Sequence, residues 1–145
     1  MAPKIILKGH KGIGGVAEGE ALVTKQFFSY IFHVGGQWEE TYSGKVTHKY
    51  HDWYQKYTEG KVLVFPTGTG GIFSTALLYG LWKHGLAPKA FINVKTHPVF
   101  TYGSIMCNIP TVDGLDKDPT EVIETGDWVK VDAEKGIVEV TKKKK

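Results

Sequence analysis

Short runs of apolar and β-branched residues dominate the first third of the chain, and they predict strands rather than helices. Such runs lie at Lys4–Lys8, Glu20–Thr24 and Phe27–Val34. The stretch 37–57 that follows is rich in aromatic and polar residues. It shows neither the two-residue period of a strand nor the helical period,. We expect a loop with short extended pieces there.

The middle of the chain has the pattern of a strand–helix–strand unit. Lys61–Phe65 and Ala90–Val94 are continuous apolar runs, which is typical of strands buried on both faces,. Between them, Ile72–His84 places leucines at helical spacing and ends before Gly85, as a helix does,. This order predicts one βαβ unit with parallel strands and a right-handed connection.

The C-terminal quarter alternates apolar and polar positions. Trp128–Asp132 and Ile137–Val140 lie on either side of a short turn, which predicts a β-hairpin,. The predicted fold class is therefore α/β, with a β-rich, barrel-like shell around one central βαβ unit. We expect residues 1–141 to form a single domain and the lysine run 142–145 to be a disordered, solvated tail.

Composition narrows the class of protein. The chain has 145 residues, of which 41% are hydrophobic and 23% charged, as in an ordinary globular domain,. The formal charge is +3, but the four C-terminal lysines account for more than this excess. The composition therefore does not favour a nucleic-acid-binding surface. No apolar run approaches the roughly 20 residues that cross a bilayer, so we expect no membrane partner.

Cys107 is the only cysteine. The chain alone can form neither a disulfide nor a cysteine-based metal cluster, which suits a reducing, cytoplasmic location. We expect Cys107 to be a buried, apolar side chain.

The turn between the predicted strand and helix, Thr67–Gly71, has the setting of an anion-binding site. The first N–H groups of a helix lack partners within the helix, and the helix dipole places partial positive charge there. Glycines let a carboxylate or phosphate approach the backbone, and hydroxyls add hydrogen bonds. The glycines and hydroxyls in question are Gly68, Gly70, Gly71, Thr67, Thr69 and Ser74.

The same turn lacks the common nucleotide-binding motifs. No Gly-Lys-Ser/Thr sequence ends it, and the third glycine of the dinucleotide fingerprint is absent,. A glycine turn that only packs the helix on the strand fits the residues equally well. From the residues alone, a binding turn and a packing turn both stay open.

Segments along nearly the whole chain resemble the small subunit of the aconitase X family. Gly60-Lys-Val-Leu-Val-Phe-Pro-Thr-Gly-Thr-Gly70 is similar to the family's Gly-Lys-Val-Leu-Val-Leu-Pro-Ser-Gly-Arg-Gly. Gly19-Glu-Ala-Leu-Val23, the helix and turn Leu77–Pro88, and the closing hairpin from Gly126 agree with the family in order and spacing.

The resemblance implies a swivelling β/β/α domain that closes over a large aconitase X-type catalytic subunit. Bacterial members of the family dehydrate cis-3-hydroxyproline, and archaeal two-subunit members dehydrate phosphomevalonate. It also implies a small carboxylate substrate and an iron–sulfur cluster or iron held by the large subunit, with no cofactor bound by this chain. The candidate catalytic residues are Thr67, Thr69 and Ser74, and the candidate substrate-binding residues are Gly68, Gly70, Gly71, Ile72 and His97.

One part of the turn departs from the family pattern. Relatives carry consecutive serines, one of which is thought to act as the catalytic base, where this chain has Gly71-Ile72-Phe73. The family's arginine, a carboxylate clamp, is Thr69 here, and its first serine is Thr67,. The departure affects the substrate and the proton route rather than the fold.

Histidines and aromatic residues outside the turn give further expectations. His97 follows the second buried strand, where ligands collect in open α/β sheets,. His48 and His51 are three residues apart, but their segment lacks a helical pattern, so we favour packing or loop hydrogen bonds over a metal. For the aromatic segment 38–57 we favour the interface with the large subunit over an aromatic-lined pocket.

Three functions stay open at this point. The leading hypothesis is the small subunit of a hydro-lyase whose turn binds the substrate carboxylate. The alternative is a non-catalytic structural or regulatory subunit of such a complex that has lost the family serine. The third is a stand-alone anion-binding domain without an enzyme partner.

Overall fold

The computed structural model describes residues 4–34, 43–69 and 72–144. Within them, seven strands form one mixed sheet in the order β1-β7-β6-β2-β3-β4-β5. The strands are Lys4–Lys8 (β1), Val16–Val23 (β2), Val62–Phe65 (β3), Ala90–Asn93 (β4), Thr111–Val112 (β5), Trp128–Asp132 (β6) and Ile137–Thr141 (β7). The described helical elements are Ile72–Lys83 (α1), Pro98–Cys107 (α2), Pro119–Val122 (α3) and a π-helical turn at Tyr30–Val34.

One half of the sheet is antiparallel and contains the predicted hairpin. β6 and β7 pair with Val129 opposite Val140 and Val131 opposite Val138, and β2 and β1 flank them. These four valines are buried, while the residues between them are exposed or half-buried, because successive strand residues point to opposite faces. The hairpin prediction is confirmed.

The other half is parallel and contains the predicted βαβ unit. The first part of β2 runs antiparallel to β6, whereas Ala21–Val23 pairs in parallel with β3, so β2 joins the two halves. β3 and β4 pair in parallel on either side of α1, and every residue of both strands is buried. The structure adds a second unit of this kind, in which α2 connects β4 to the parallel β5.

The connection between β1 and β2 pairs with β5, the strand at the other edge of the sheet. This contact partly closes the sheet and makes the fold barrel-like. Ile13 N–H donates to the Thr111 carbonyl at 3.1 Å, and Thr111 N–H donates back at 2.9 Å. A Cβ at Gly12 would overlap the carbonyl of Thr111, so only glycine fits there. The predicted fold class is confirmed.

β3 lies between two cores. Leu63 and Phe65 belong to a core rich in aromatic rings that includes side chains of α1 and α2. Val62 and Val64 belong to an aliphatic core shared with the valines of the hairpin. The turn that follows β3 is therefore anchored on both faces of the sheet.

The prediction of a strand at Phe27–Val34 is wrong. Apart from a single bridge at Phe28, the chain bends into the π-helical turn. Side chains satisfy the backbone of this bend: Ser29 N–H donates to His33 Nδ1 at 3.0 Å, and Phe32 N–H donates to Ser29 Oγ at 3.3 Å. Such local bonds offer the backbone an alternative to a strand ladder.

Helix α2 is an element that the sequence pattern does not predict. Its β-branched and aromatic residues favour strands. His97 caps the helix by accepting from Val99 N–H at 3.2 Å, Pro98 lies in the first turn, and Asn108 ends the helix in the left-handed conformation. These capping residues, rather than the spacing of apolar residues, are the sequence features that mark the helix.

The C-terminal lysine run is anchored over its first two residues. Lys142 Nζ donates to the buried Asp127 carboxylate at 2.6 Å and to Val122 O at 3.0 Å, and Lys143 N–H donates to Asp127 at 2.9 Å. Burial opposes the charged form, yet the hydrogen bonds hold the pKa of Asp127 below its ordinary value,. The prediction of a disordered tail over 142–145 is therefore wrong for Lys142 and Lys143.

Candidate functional site

The turn after β3 is held by the backbone of Phe28. Phe28 N–H donates to the Thr67 carbonyl at 3.2 Å, and Thr69 N–H donates to the Phe28 carbonyl at 3.1 Å. These two hydrogen bonds fix the backbone of residues 67–69 just before α1 begins. Gly70 and Gly71 lie outside the described residues, as does the side chain of Ile72.

Gly68 is packed against the ring of Phe100 in α2. A Cβ at this position would overlap several atoms of that ring. This glycine is required because α2 approaches the turn closely. The sequence left a packing role open for the turn, but for the helix that follows it rather than for α2. Its contact with a substrate stays a prediction.

The three predicted hydroxyls differ in their surroundings. Thr67 and Thr69 are half-buried, and the hydroxyl of Thr67 makes only a long contact of 3.5 Å to Gly68 O. Ser74 is buried, and its Oγ lies 3.3 Å from Ser29 Oγ. Thr67 and Thr69 are therefore better placed than Ser74 to meet a ligand.

The start of α2 lies beside the turn. The N–H groups of residues 94 and 95 donate to the Pro66 carbonyl at 3.0 and 3.1 Å, which fixes the segment leading to His97 next to the end of β3. His97 is half-buried and uses Nδ1 to cap α2, so Nε2 is the nitrogen left for a ligand. The structure thus brings His97 to the same end of the sheet as Thr67 and Thr69.

A small, largely apolar cavity of about 270 Å³ lies by the first turns of α1 and α2, lined by Thr75, Pro98, Val99 and Tyr102. The Thr75 hydroxyl donates to Val99 O at 3.4 Å and so links the two helices. Sequence reasoning missed Thr75, because a threonine early in a helix carries no distinct signal.

Asn93 is a second residue that sequence reasoning missed. It ends β4, is fully buried, and donates from Nδ2 to the Phe65 carbonyl at 3.1 Å. Its Oδ1 has no hydrogen-bond partner among the described residues, and a buried polar atom in that state is costly. A polar residue at the carboxyl end of an apolar strand is the signal that identifies it.

A cluster of three histidines lies close to Phe28, on the segments that precede β3. The ring of His33 is 4.4 Å from that of His51 and 5.3 Å from that of His48, measured between centroids. His51 Nε2 contacts Phe27 O at 3.2 Å, and its Nδ1 accepts from Trp53 N–H at 3.1 Å. The expectation of loop hydrogen bonds is confirmed for His51.

Burial and neighbouring imidazoles keep His33 and His51 neutral. Desolvation, together with His51 and His48, lowers the pKa of His33 to about 4. Desolvation also lowers the pKa of His51, against the opposing effect of its hydrogen bond to Phe27. Both imidazoles are therefore uncharged near neutral pH.

The aromatic segment divides between core and surface. Trp53 is buried and donates from Nε1 to Val23 O at 3.0 Å, so it is a core residue. Tyr50, Tyr54 and Tyr57 are exposed. The choice between an interface and a pocket is open for these three, and 35–42 lies outside the described residues.

Comparison with known proteins places this arrangement in a family. A family model described as the aconitase X swivel domain matches residues 6–140, nearly the whole chain. The chain belongs to the aconitase X swivel-domain family. The strand–turn–helix site at Thr67–Thr69 is thus a feature of an aconitase X swivel domain.

Relatives of the swivel domain agree over their full length. The phosphomevalonate dehydratase small subunit of Methanocella arvoryzae is 42% identical over 135 residues, which cover 93% of this chain and 98% of that protein. The small subunit of the same name from Thermococcus kodakarensis is 40% identical over 134 residues, covering 92% and 95%. The crystal structure of Thermococcus kodakaraensis aconitase X in its holo-form matches with a TM-score of 0.82 at 36% identity, covering 97% of this chain and 99% of that one.

Cys107 is buried, as expected, and desolvation raises the pKa of its thiol to about 11. In the described part of the swivel domain, no three His, Cys, Asp or Glu side chains come together in a way that could hold a metal ion.

None of the described helices is long and apolar enough to cross a membrane.

Substituting Gly68 tests the packing of the turn on α2. We expect Gly68→Ala to lower the free energy of unfolding by about 2 kcal/mol, because the added methyl group overpacks against Phe100,. Gly15→Ala is the matched control, since its Cβ meets no atom within 4 Å. Urea denaturation of both variants checks this, and equal stabilities would contradict the close approach.

The neutral histidines predict a pH dependence of stability. An imidazole in the unfolded chain titrates near 6.5, whereas the pKa of His33 in the folded protein is about 4,. Between these values the unfolded state binds more protons, so stability falls as the pH drops from about 7 towards about 4 and is level above about 7. The contribution of His33 is on the order of 3 kcal/mol.

Urea denaturation at several pH values measures this dependence. His33→Asn keeps an acceptor near Ser29 N–H but does not titrate, so we expect a shallower slope. His84→Asn replaces an exposed histidine on the far end of α1 and serves as the control. Identical slopes in the wild type and His33→Asn would show that His33 is not buried in its neutral form.

Proposed function

We propose that this swivel domain is the small subunit of an aconitase X-type dehydratase and acts on phosphomevalonate together with a separate large subunit. The observation that carries the proposal is the extent of the match. The chain covers 98% of a protein named as the small subunit of this enzyme. The match therefore extends over nearly the whole length of both sequences.

The geometry of the turn supports a role in substrate binding. Thr67 and Thr69 are half-buried at the carboxyl end of β3, just before the start of α1. The unpaired N–H groups and the dipole at a helix start favour a carboxylate. We place the substrate carboxylate there, with the two hydroxyls as hydrogen-bond partners and candidate proton acceptors.

The large subunit would supply the metal. Iron or an iron–sulfur cluster, which we assign to that partner, would provide Lewis-acid chemistry at the leaving hydroxyl. The residues of this chain would orient the substrate and exclude water, and the swivelling of the domain over the large subunit would gate access.

A second candidate function is a non-catalytic subunit that stabilises or regulates the complex. Phe73 favours it. This residue occupies a position where the family carries serine, and its ring is 65% exposed, so the first turn of α1 offers an apolar surface instead of a hydroxyl.

Hydroxyl deletion in the assembled enzyme separates the two candidates. Thr67→Val and Thr69→Val keep the side-chain shape but remove the hydroxyl, and we expect at least one of them to lower kcat roughly 100-fold. Thr141→Val, at the end of β7 in the other half of the sheet, is the control. The measurement is turnover of phosphomevalonate by the co-expressed subunits.

Each other outcome has a definite meaning. A stable complex with unchanged kcat in both variants would favour the non-catalytic subunit. If no complex forms with the large subunit, both candidates fail, and a stand-alone anion-binding domain is the function left.

A further inference from the structure

A pocket of about 350 Å³ opens beside the histidine cluster, away from the Thr67–Thr69 turn. We call it the histidine pocket, and its lining residues are Lys25, Gln26, Phe27, Phe32, His33, His48, Tyr50 and His51. Its volume is at the lower end of the range for small-molecule sites. It therefore suits a compact metabolite rather than a nucleotide.

Two ring nitrogens in the pocket are left for a ligand. His33 Nδ1 accepts from Ser29 N–H at 3.0 Å, so the proton of the neutral ring lies on Nε2, which has no partner among the described residues. His48 Nδ1 is buried and equally without a partner in the described part of the chain. His51, in contrast, uses both nitrogens on the backbone.

An unpartnered buried nitrogen needs an explanation. Leaving one unsatisfied costs roughly 1–3 kcal/mol, and native proteins tolerate this mainly at functional sites. His48 also lies on the wall of the open histidine pocket. A ligand atom that pairs with His48 would remove the cost.

The charges around the pocket favour an anion. Among the described residues that line it, none carries a carboxylate. Lys25 Nζ pairs with Glu121 at 2.7 Å, and both side chains are well exposed. Such surface pairs contribute little to stability, so Lys25 is available to turn towards a ligand.

We propose that the histidine pocket binds the phosphate group of a small phosphorylated metabolite. A phosphate presents three strong acceptor oxygens in different directions. His33, His48 and Lys25 offer hydrogen-bond donors from three separate parts of the chain. A carboxylate has only two oxygens, which lie in one plane, so it would pair with fewer of these donors. Phe27, Phe32 and Tyr50 provide apolar walls for the carbon skeleton.

Phosphate binding here rests on the geometry of the pocket, and only the choice of metabolite rests on the proposed function. The histidine pocket and the Thr67–Thr69 turn are two separate candidate anion sites. Phe28 lies between the two sites, since its backbone pairs with the turn and its ring contacts His33 at a centroid distance of 5.6 Å.

Binding should be coupled to proton uptake. A bound anion favours the charged form of a neighbouring imidazole. The titratable groups around His33 are His48, His51, Lys25 and Tyr50 in the pocket lining, and Asp52 acts on His51. Sulfate keeps a constant charge over the relevant pH range, so its affinity should rise as the pH falls from about 7 to about 5.5.

Direct binding to the full-length chain tests the proposal without the large subunit. Calorimetry with inorganic phosphate and with sulfate should show saturable binding, and NMR should show shifts of the His33 and His48 ring nitrogens. We expect His48→Phe, which keeps the ring packing, and Lys25→Gln each to weaken phosphate binding about ten-fold or more. His84→Phe and Lys11→Gln are the matched exposed controls and should leave it unchanged.

The source of the phosphate is tested by two further ligands. Phosphomevalonate should bind more tightly than inorganic phosphate, and mevalonate should not compete. The absence of saturable phosphate binding, or equal losses in the control variants, would overturn the proposal, as would equal binding of mevalonate. Because turnover is not measured, an inactive dehydratase complex would leave this result intact, and a failure to bind phosphate would leave the dehydratase proposal standing.

Discussion

Phe28 is the residue on which the functional region depends. Its backbone pairs with Thr67 and Thr69 on either side of Gly68, and its buried ring contacts Phe65 and Phe100 of the aromatic core. The same ring stacks on His33 and meets His51. One residue thus connects the turn, the core and the histidine pocket, and displacing it would disturb all three.

This arrangement explains why the swivel domain needs a mixed sheet. The antiparallel half supplies a rigid hairpin and an aliphatic core. The parallel half directs the carboxyl ends of β3 and β4 to one edge, where ligands collect in α/β folds. β2 pairs with both halves. The turn therefore follows a strand that packs in two cores. Because Phe100 of α2 contacts Gly68, a small movement of α2 would displace the turn.

Much of this frame could be predicted from the sequence, because it depends on local periodicity. The buried runs of β3 and β4, helix α1 and the hairpin all follow from apolar spacing. Helix α2 does not, since its β-branched residues favour a strand and only His97 and Asn108 mark its ends. The bend at Ser29 depends on side-chain to backbone bonds that no pattern reveals. The hydrogen bonding of Asn93 and the histidine pocket depend on contacts distant in sequence, so these two features emerged only from the structure.

Amide hydrogen exchange in Phe28→Leu tests most directly whether Phe28 holds the turn and the histidine pocket together. We expect a selective loss of protection at Thr69 and His33, whose N–H groups donate to the Phe28 and Ser29 carbonyls. The amides of the β6–β7 hairpin should keep their protection. Unchanged protection at Thr69 and His33, or a uniform loss across the whole sheet, would contradict this role of Phe28.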